Sequence, residues 1–287
     1  MNNSISKLKL DINSVKELVK VALKEDMNTG DLTTDNLISD NINVTANLEV
    51  KANGIIAGLS VAEVVLKLLD PEIIWEPLMD DGDKVESGKI IANFNGSYKA
   101  ILTGERTVLN FLQRISGIAT QTNKYVNALK GLKTIILDTR KTVPGHRILD
   151  KYAVKMGGGT NHRFGLFDLV MIKDNHIKIA GGISNAVLEI KAKVESTIKI
   201  EVETSILEEV EEAIKTDVDI IMLDNMSIDQ MRKAVKLIDG KVLTEASGNI
   251  TLESVRKIAE TGVDFISVGE LTHSVKALDI GLYILDN

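Results

Sequence analysis

Between Thr139 and Arg163 the chain gathers Arg140, Lys141, Arg147, Lys151, Lys155 and Arg163 with His146 and His162, against a single acid, Asp150. The whole chain carries a formal charge of −7. A cationic stretch punctuated by Gly145 and Gly157-Gly158-Gly159 in an acidic protein implies a compact site for a multiply anionic small molecule. Arg offers a planar fork of donors to carboxylate or phosphate. Glycine lets backbone N–H groups approach phosphate closely. Farther along, Glu203 and Asp224 close two apolar runs. Acids inside a phosphate site hold Mg²⁺, which prefers oxygen ligands and keeps its waters. They also support positive charge developing on a sugar carbon in an oxocarbenium-like transition state.

These residues must be positioned by strands. After Gly131 short β-rich runs alternate with helical segments. The runs are 134–137, 169–172, 198–202, 219–223, 242–244 and 264–268, and the helices 184–194, 206–215, 228–238 and 252–261. That rhythm predicts a parallel sheet. Thr216-Asp217-Val218-Asp219-Ile220 recurs as Thr261-Gly262-Val263-Asp264-Phe265, so the units repeat. Repeated strand–helix units favour a barrel, and six strands rather than eight make it irregular and incomplete. Each run ends in polar residues: Asp138 and Arg140, Lys173 and Asp174, Glu201 and Glu203, Asp224 and Asn225, Glu245 to Gly248, Gly269 and Glu270. A parallel barrel sends all of these ends to one rim, where barrel enzymes place their chemistry. Ordinary polar loops are the plainer explanation for one such end, and a weaker one for six.

Before Gly131 the reading is α/β. Ser14–Glu25 is amphipathic, with Ser14 and Glu17 spaced as a capping box. Residues 44–50 and 55–57 read as strands and 60–69 as a helix. Residues 81–91 resemble half of a biotinyl or lipoyl carrier, but no Met-Lys-Met tip follows, so they are read as scaffold. Thr103 is placed at the start of a long helix reaching about Leu129, interrupted near Gly117, which sets Arg106 in the first turn. The expected organisation is an N-terminal α/β sandwich domain over 1–115, a barrel over 116–274, and a tail, 275–287, packing back on the first domain.

Composition limits the alternatives. The chain has 287 residues, 44% hydrophobic and 26% charged, with 3% aromatic, so Ile, Val, Leu and Ala must fill the core. No cysteine is present, which removes disulfides, thiolate metal sites and Cys nucleophiles and fits a reducing cytoplasm. Met1–Leu10 lacks a signal-peptide apolar region. No run approaches the ~18 apolar residues of a membrane span, and the negative charge disfavours nucleic acid.

At these motifs the chain closely resembles the quinolinate phosphoribosyltransferase family, from about Glu25 to Ser274. The resemblance is carried by Glu25-Asp26 with Gly30-Asp31-Leu32-Thr33-Thr34, by Leu102 to Thr107 with Leu109 to Arg114, and by Asp138-Thr139-Arg140-Lys141-Thr142. It continues through Gly158 to Arg163, Lys173-Asp174-Asn175-His176, Glu201-Val202-Glu203, Leu223-Asp224-Asn225, Glu245-Ala246-Ser247-Gly248, and Gly269 with Leu271 to Ser274. Their order and spacing together are highly specific. The resemblance implies an α/β sandwich followed by an irregular barrel, in homodimers with shared sites, some built into hexamers. It implies joining quinolinate to 5-phosphoribosyl 1-pyrophosphate with Mg²⁺, giving nicotinate mononucleotide, pyrophosphate and CO₂ in NAD biosynthesis.

Carried over by motif, Arg106 reaches across the dimer to a quinolinate carboxylate, while Arg140, His162, Arg163 and Lys173 bind the rest of the dianion. Lys141, Glu203 and Asp224 are the catalytic set. Lys141 contacts the pyrophosphate, and Glu203 and Asp224 bind ribose hydroxyls and metal, directly or through water. Ser247, Gly248 and Gly269 bind the 5-phosphate. Two positions depart from the pattern: Asn249 stands where many members have a second Gly, and Glu270 puts an acid beside the phosphate. Arg114 is assigned a structural ion pair, His176 a structural role, and Lys151 with Lys155 a solvated face. His146, Arg147 and His273 are divided between phosphate contact and loop or cap.

Three alternatives remain on the residues. A molybdenum-transport-associated relative of the same fold would lack the full dicarboxylate cluster. A non-catalytic anion binder has no need of both Glu203 and Asp224. An aldolase wants a Schiff-base Lys in an apolar setting, and Lys173 stands among polar neighbours.

Overall fold

A computed structural model describes residues 10–285. By internal contacts the chain divides into two compact units, 1–123 with 142–158 and 274–287, and 124–141 with 159–273. The segment 142–158 therefore packs with the N-terminal unit, which a single cut after residue 115 does not allow for. The reading of Met1–Leu10 lies, except for Leu10, outside the described residues.

The first unit opens with helix α1 (Ile12–Met27) and the short α2 (Thr34–Leu37). Strand β1 (Asn43–Val50), β2 (Gly54–Ile55), helix α3 (Leu59–Leu69), β3 (Ile74–Pro77), β4 (Lys84–Val85) and β5 (Ile90–Ser97) follow, then the long helix α4 (Tyr98–Ala128). Its sheet runs in the order β12-β1-β5-β3, antiparallel throughout, with β12 (Ile280–Ile284) returning from the far end of the chain. Leu48, Phe94 and Ile91 from the sheet and Ile56 and Leu66 beside α3 are fully buried or nearly so. Burying each such side chain contributes about 1.5–3 kcal/mol.

Two expected helix starts move. The helix at 14–25 begins at Ile12, because Asp11 accepts from the N–H groups of Asn13 and Ser14 and caps it one turn earlier. Thr103 does not start α4, which begins at Tyr98 and runs unbroken past Gly117. The Thr103 hydroxyl instead donates to Asp31 Oδ2 at 3.2 Å, while Asp31 Oδ1 takes the N–H groups of Thr33 and Thr34. Arg106 accordingly stands beyond the first turn, where the helix dipole no longer acts strongly on it. Gly117 is small because the carbonyl of Lys276 lies against it, not because the helix breaks there.

Helix α5 (Arg147–Met156) belongs to this unit. Arg114 on α4 forks onto Asp150, Nε and Nη2 donating at 2.9–3.2 Å, and the acid is 1% exposed. Lys151, expected on a solvated face, is buried instead, because α5 turns Leu149 to Val154 inward.

The second unit is a parallel sheet of β6 (Ile135–Leu137), β7 (Val170–Ile172), β8 (Ile200–Thr204), β9 (Ile220–Asp224), β10 (Leu243–Ser247) and β11 (Phe265–Ser267). The helices between them are α6 (Asp174–Ala180), α7 (Ile183–Lys191), α8 (Leu207–Ile214), α9 (Ile228–Ile238) and α10 (Val255–Ala259), with α11 (Glu270–His273) after the last strand. The order is β6-β11-β10-β9-β8-β7. That is the order of a six-stranded ring cut between its first two members, the incomplete barrel expected. At the cut, β6 gains only a bridge from Leu137 to Thr160. Ile172, Val202, Ile221, Leu223 and Ile266 are buried, and every strand delivers its C-terminal end to the same side.

Asp150→Ala leaves Arg114 without its acid in a largely buried setting, so unfolding free energy is expected to fall by roughly 3 kcal/mol. Urea denaturation of the full chain measures it, and an unchanged midpoint would show that the fork is dispensable.

Candidate active site

The rim of the parallel sheet is assembled from loops that each make their own hydrogen bonds. Asp138, directly after β6, is fully buried. Its carboxylate accepts from His162 N at 2.8 Å and Asn161 Nδ2 at 2.6 Å, tying the loop before β7 to the end of β6. Arg163 follows, its Nη1 donating to Leu169 O at 3.1 Å. Burial and the neighbouring Arg140 both pull the Arg163 guanidinium below its ordinary value, so the two cations lie near each other. Lys173 Nζ donates to Glu203 Oε2 at 2.6 Å, joining the ends of β7 and β8. His176 Nδ1 accepts from Lys173 N and caps α6, a structural role.

At the ends of β9 and β10, Asn225 Nδ2 donates to Asp224 Oδ2 at 2.7 Å, and Asn249 Nδ2 donates to Asn225 Oδ1 at 3.1 Å. Asn225 N donates to Ser247 O at 2.9 Å. Gly248 has φ +96°, and a Cβ there would collide with Asn225 Oδ1. After β11, a Cβ on Gly269 would stand 3.0 Å from Lys141 Cδ and 3.1 Å from His273 Cδ2. Thr272 Oγ1 holds the Lys141 carbonyl at 2.9 Å. Glu270 accepts from the buried Tyr125 hydroxyl at 2.7 Å. Burial, reinforced by that acid, pushes the Tyr125 hydroxyl well above its usual range.

Beneath the rim lies a group that sequence reasoning did not single out. Glu201 and Glu203 share one face of β8, two residues apart, and Glu245 and Ser247 do the same on β10. Glu201 and Glu245 are the lower pair, 0% exposed. His162 Nε2 lies 3.0 Å from Glu201 Oε2 and 3.4 Å from Glu245 Oε2, its side chain 7% exposed. These are ion-pair distances, yet no donor is aligned for a hydrogen bond on any of the four carboxylate oxygens. Burial disfavours a charged ring, but the two glutamates outweigh it and push His162 up to about 10. Burial, with Glu245 adding to it, also pushes Glu201 upward. Both shifts have one meaning: the cluster keeps an extra proton at neutral pH. The Arg163 amide donates to Nδ1 at 2.6 Å, so the ring keeps its own proton on Nε2, facing the carboxylates, and the extra proton is held on the acid side of the cluster. The three ligand-type atoms also lie within 4.8 Å of one another, close enough to converge on one cation. The signal was present in the sequence as Glu201 two residues before Glu203 and Glu245 two before Ser247, a spacing that keeps each pair on one face of its strand.

The second unit thus brings together Arg140, Lys141, His162, Arg163, Lys173, Glu203, Asp224, Ser247, Gly248 and Gly269. Arg106 lies in the first unit, exposed on α4, with Nη2 3.2 Å from Glu105 Oε1.

Residues 118–283 match the quinolinate phosphoribosyl transferase C-terminal domain, and residues 31–116 its N-terminal domain. The chain belongs to the quinolinate phosphoribosyltransferase family. It is 47% identical to quinolinate phosphoribosyltransferase [decarboxylating] 2b, mitochondrial, of Nicotiana tabacum, covering 94% of this chain and 82% of that one. It is 44% identical to the probable nicotinate-nucleotide pyrophosphorylase [carboxylating] of Bacillus subtilis, covering 93% and 92%. The nicotinate-nucleotide pyrophosphorylase structure from Francisella tularensis superimposes with a TM-score of 0.93 at 46% identity, over 96% of this chain and 98% of that one. As a member of this family the chain is a phosphoribosyltransferase. Among the described residues no helix is long and apolar enough to cross a membrane.

Because His162 is raised from 6.5 to about 10, its contribution to stability is full below about pH 6.5 and lost as pH rises through about 10. Denaturant stability measured at pH 6.5 and 9.5 should drop more in the wild type than in His162→Asn. Equal drops would place the proton elsewhere.

Proposed function

We propose that this quinolinate phosphoribosyltransferase binds quinolinate against Arg140, Arg163 and Lys173, with His162 behind them, and binds 5-phosphoribosyl 1-pyrophosphate along the ends of β8 to β11. The observation that carries the reading is the separation of charge around one rim. Cations gather after β6 and before β8, carboxylates close β8 and β9, and glycines follow β10 and β11. A dicarboxylate needs such a cluster, because unpaired charges are costly to remove from water.

The reaction transfers the phosphoribosyl group to the ring nitrogen of quinolinate, releasing pyrophosphate and then CO₂, and yields nicotinate mononucleotide in NAD biosynthesis. As the bond from the sugar carbon to pyrophosphate breaks, that carbon becomes cationic. Glu203 and Asp224 support it electrostatically and hold ribose hydroxyls. Lys141, whose stem passes Gly269, meets the departing pyrophosphate. Ser247, Gly248 and Gly269 offer hydroxyl and N–H donors to the 5-phosphate. The ring nitrogen then carries positive charge, and the electron pair left by the departing carboxylate is stabilised beside it until a proton replaces CO₂. The chain's contribution is positioning and electrostatics, with no covalent enzyme intermediate.

Mg²⁺ is the cofactor we assign. The donor set fits it: Glu203 commits Oε2 to Lys173 and Asp224 commits Oδ2 to Asn225, leaving each a second carboxylate oxygen. Bound there, the ion would neutralise charge on the pyrophosphate. We assign the exposed Arg106 to the quinolinate site of a second copy in a homodimer with shared sites. We also place the enzyme in the cytoplasm, on its lack of cysteine, although the tobacco relative is named mitochondrial.

Purified protein should release CO₂ from carboxyl-labelled quinolinate only when 5-phosphoribosyl 1-pyrophosphate is present, and Arg140→Ala should lower kcat/KM by at least about 100-fold, some 2.7 kcal/mol. No release from folded protein would overturn the reading. Chelation should abolish turnover, with full recovery on adding Mg²⁺, and chelator-resistant turnover would remove the metal assignment.

A further inference from the structure

The two acids of the lower layer, Glu201 and Glu245, have no place in the reaction just described, yet both are fully buried. Glu201 and Glu245 come from strands that are not neighbours, since β9 lies between β8 and β10. Their carboxylates nonetheless face the same imidazole, at 3.0 and 3.4 Å. Two acids at 0% exposure without aligned donors are expensive unless a shared proton or a nearby cation compensates them. Packing alone does not call for them, as Ile220 and Met222 on the same face of the intervening strand β9 are apolar and buried.

What compensates them stands directly above. His162 is fixed by Asp138 through its backbone N–H, its ring meets the Arg163 amide at 2.6 Å, and Arg163 lies close to Arg140. Arg140 and Arg163 repel each other, and Glu201 draws Arg163 the other way. We propose that Glu245, with Glu201, is a positioning residue for quinolinate: the two buried carboxylates anchor His162 and the arginines beside it so that the dicarboxylate pocket is assembled before the substrate arrives. Neither acid touches substrate. Ground-state preorganisation of this kind acts on binding of the dianion, since a pocket already held in place loses less on ordering. The phosphoribosyl side also has bonds of its own, from Asn225 to Asp224 and from Thr272 to Lys141.

This rests on the assignment of Arg140 and Arg163 to quinolinate, so Arg140→Ala serves as its control. Binding of quinolinate and of 5-phosphoribosyl 1-pyrophosphate to the full-length protein is measured separately by calorimetry, with melting followed alongside. Glu245→Gln should weaken quinolinate by 10-fold or more and leave the second ligand within 2-fold, and Glu245→Asp should recover part of the loss. If Glu245→Gln does not fold, Glu201→Gln and Glu245→Asp decide by the same comparison. Unchanged quinolinate affinity in a folded variant that loses the acid, with Arg140→Ala still impaired, overturns the positioning role alone. An Arg140→Ala protein that binds quinolinate normally overturns the site assignment on which it rests. Equal weakening of both ligands reduces the cluster to general stability. Stoichiometric divalent metal in the purified protein, lost in Glu245→Gln, makes the three residues a metal site and also overturns the proposal.

Discussion

Like charges gathered at one rim repel, and that repulsion is the constraint on which the second unit is built. Arg140 and Arg163 are close enough for one to depress the other. Lys173 is pinned to Glu203 at 2.6 Å, and His162 is sunk between Glu201 and Glu245. Each cation is therefore set against an acid or another cation already at fixed position. The parallel register makes this possible. Side chains two apart on one strand share a face, so β8 places one acid at the rim and one a layer below, and β10 repeats the arrangement with Glu245 under Ser247.

Much of this was legible in the sequence. All six barrel strands fall where apolar runs of a few residues end in polar ones, with ends shifted by at most three residues. Helix α9 matches 228–238 at both ends, since Ser227 and Gln230 form a complete capping box. The failures share a cause. Ser14 with Glu17 and Thr103 both have the right side chains for a cap, but the local signal says only that a cap is possible. Asp11 reaches the first N–H groups of α1 sooner, and Thr103 is taken by Asp31, 72 residues away in sequence. Lys151 was misjudged for the same reason. Four-residue spacing with Lys155 suggests a wet face, and only the packing of α5 shows that one of the two is buried.

The glycines carry a similar lesson. Gly248 and Gly269 invite a phosphate explanation, because glycine exposes backbone donors. The structure supplies another that is already operative without ligand. Gly248 leaves room for Asn225, and Gly269 for the stem of Lys141 and the ring of His273. Gly248 would be required even if no phosphate were bound there, and Gly269 eases a close approach, so their presence in a motif is not by itself evidence of phosphate contact.

The two departures from the family pattern are resolved by partners. Asn249 adopts φ +50°, a conformation Asn tolerates better than most residues, so it can occupy a position that glycine often fills. Having a side chain, it does what glycine cannot, and holds Asn225, which in turn holds Asp224. Glu270 is likewise engaged by Tyr125, whose hydroxyl gives the carboxylate a donor. An acid bonded in this way has one oxygen already occupied and a fixed direction, and the stem of Lys141 passes Gly269 beside it on the same loop.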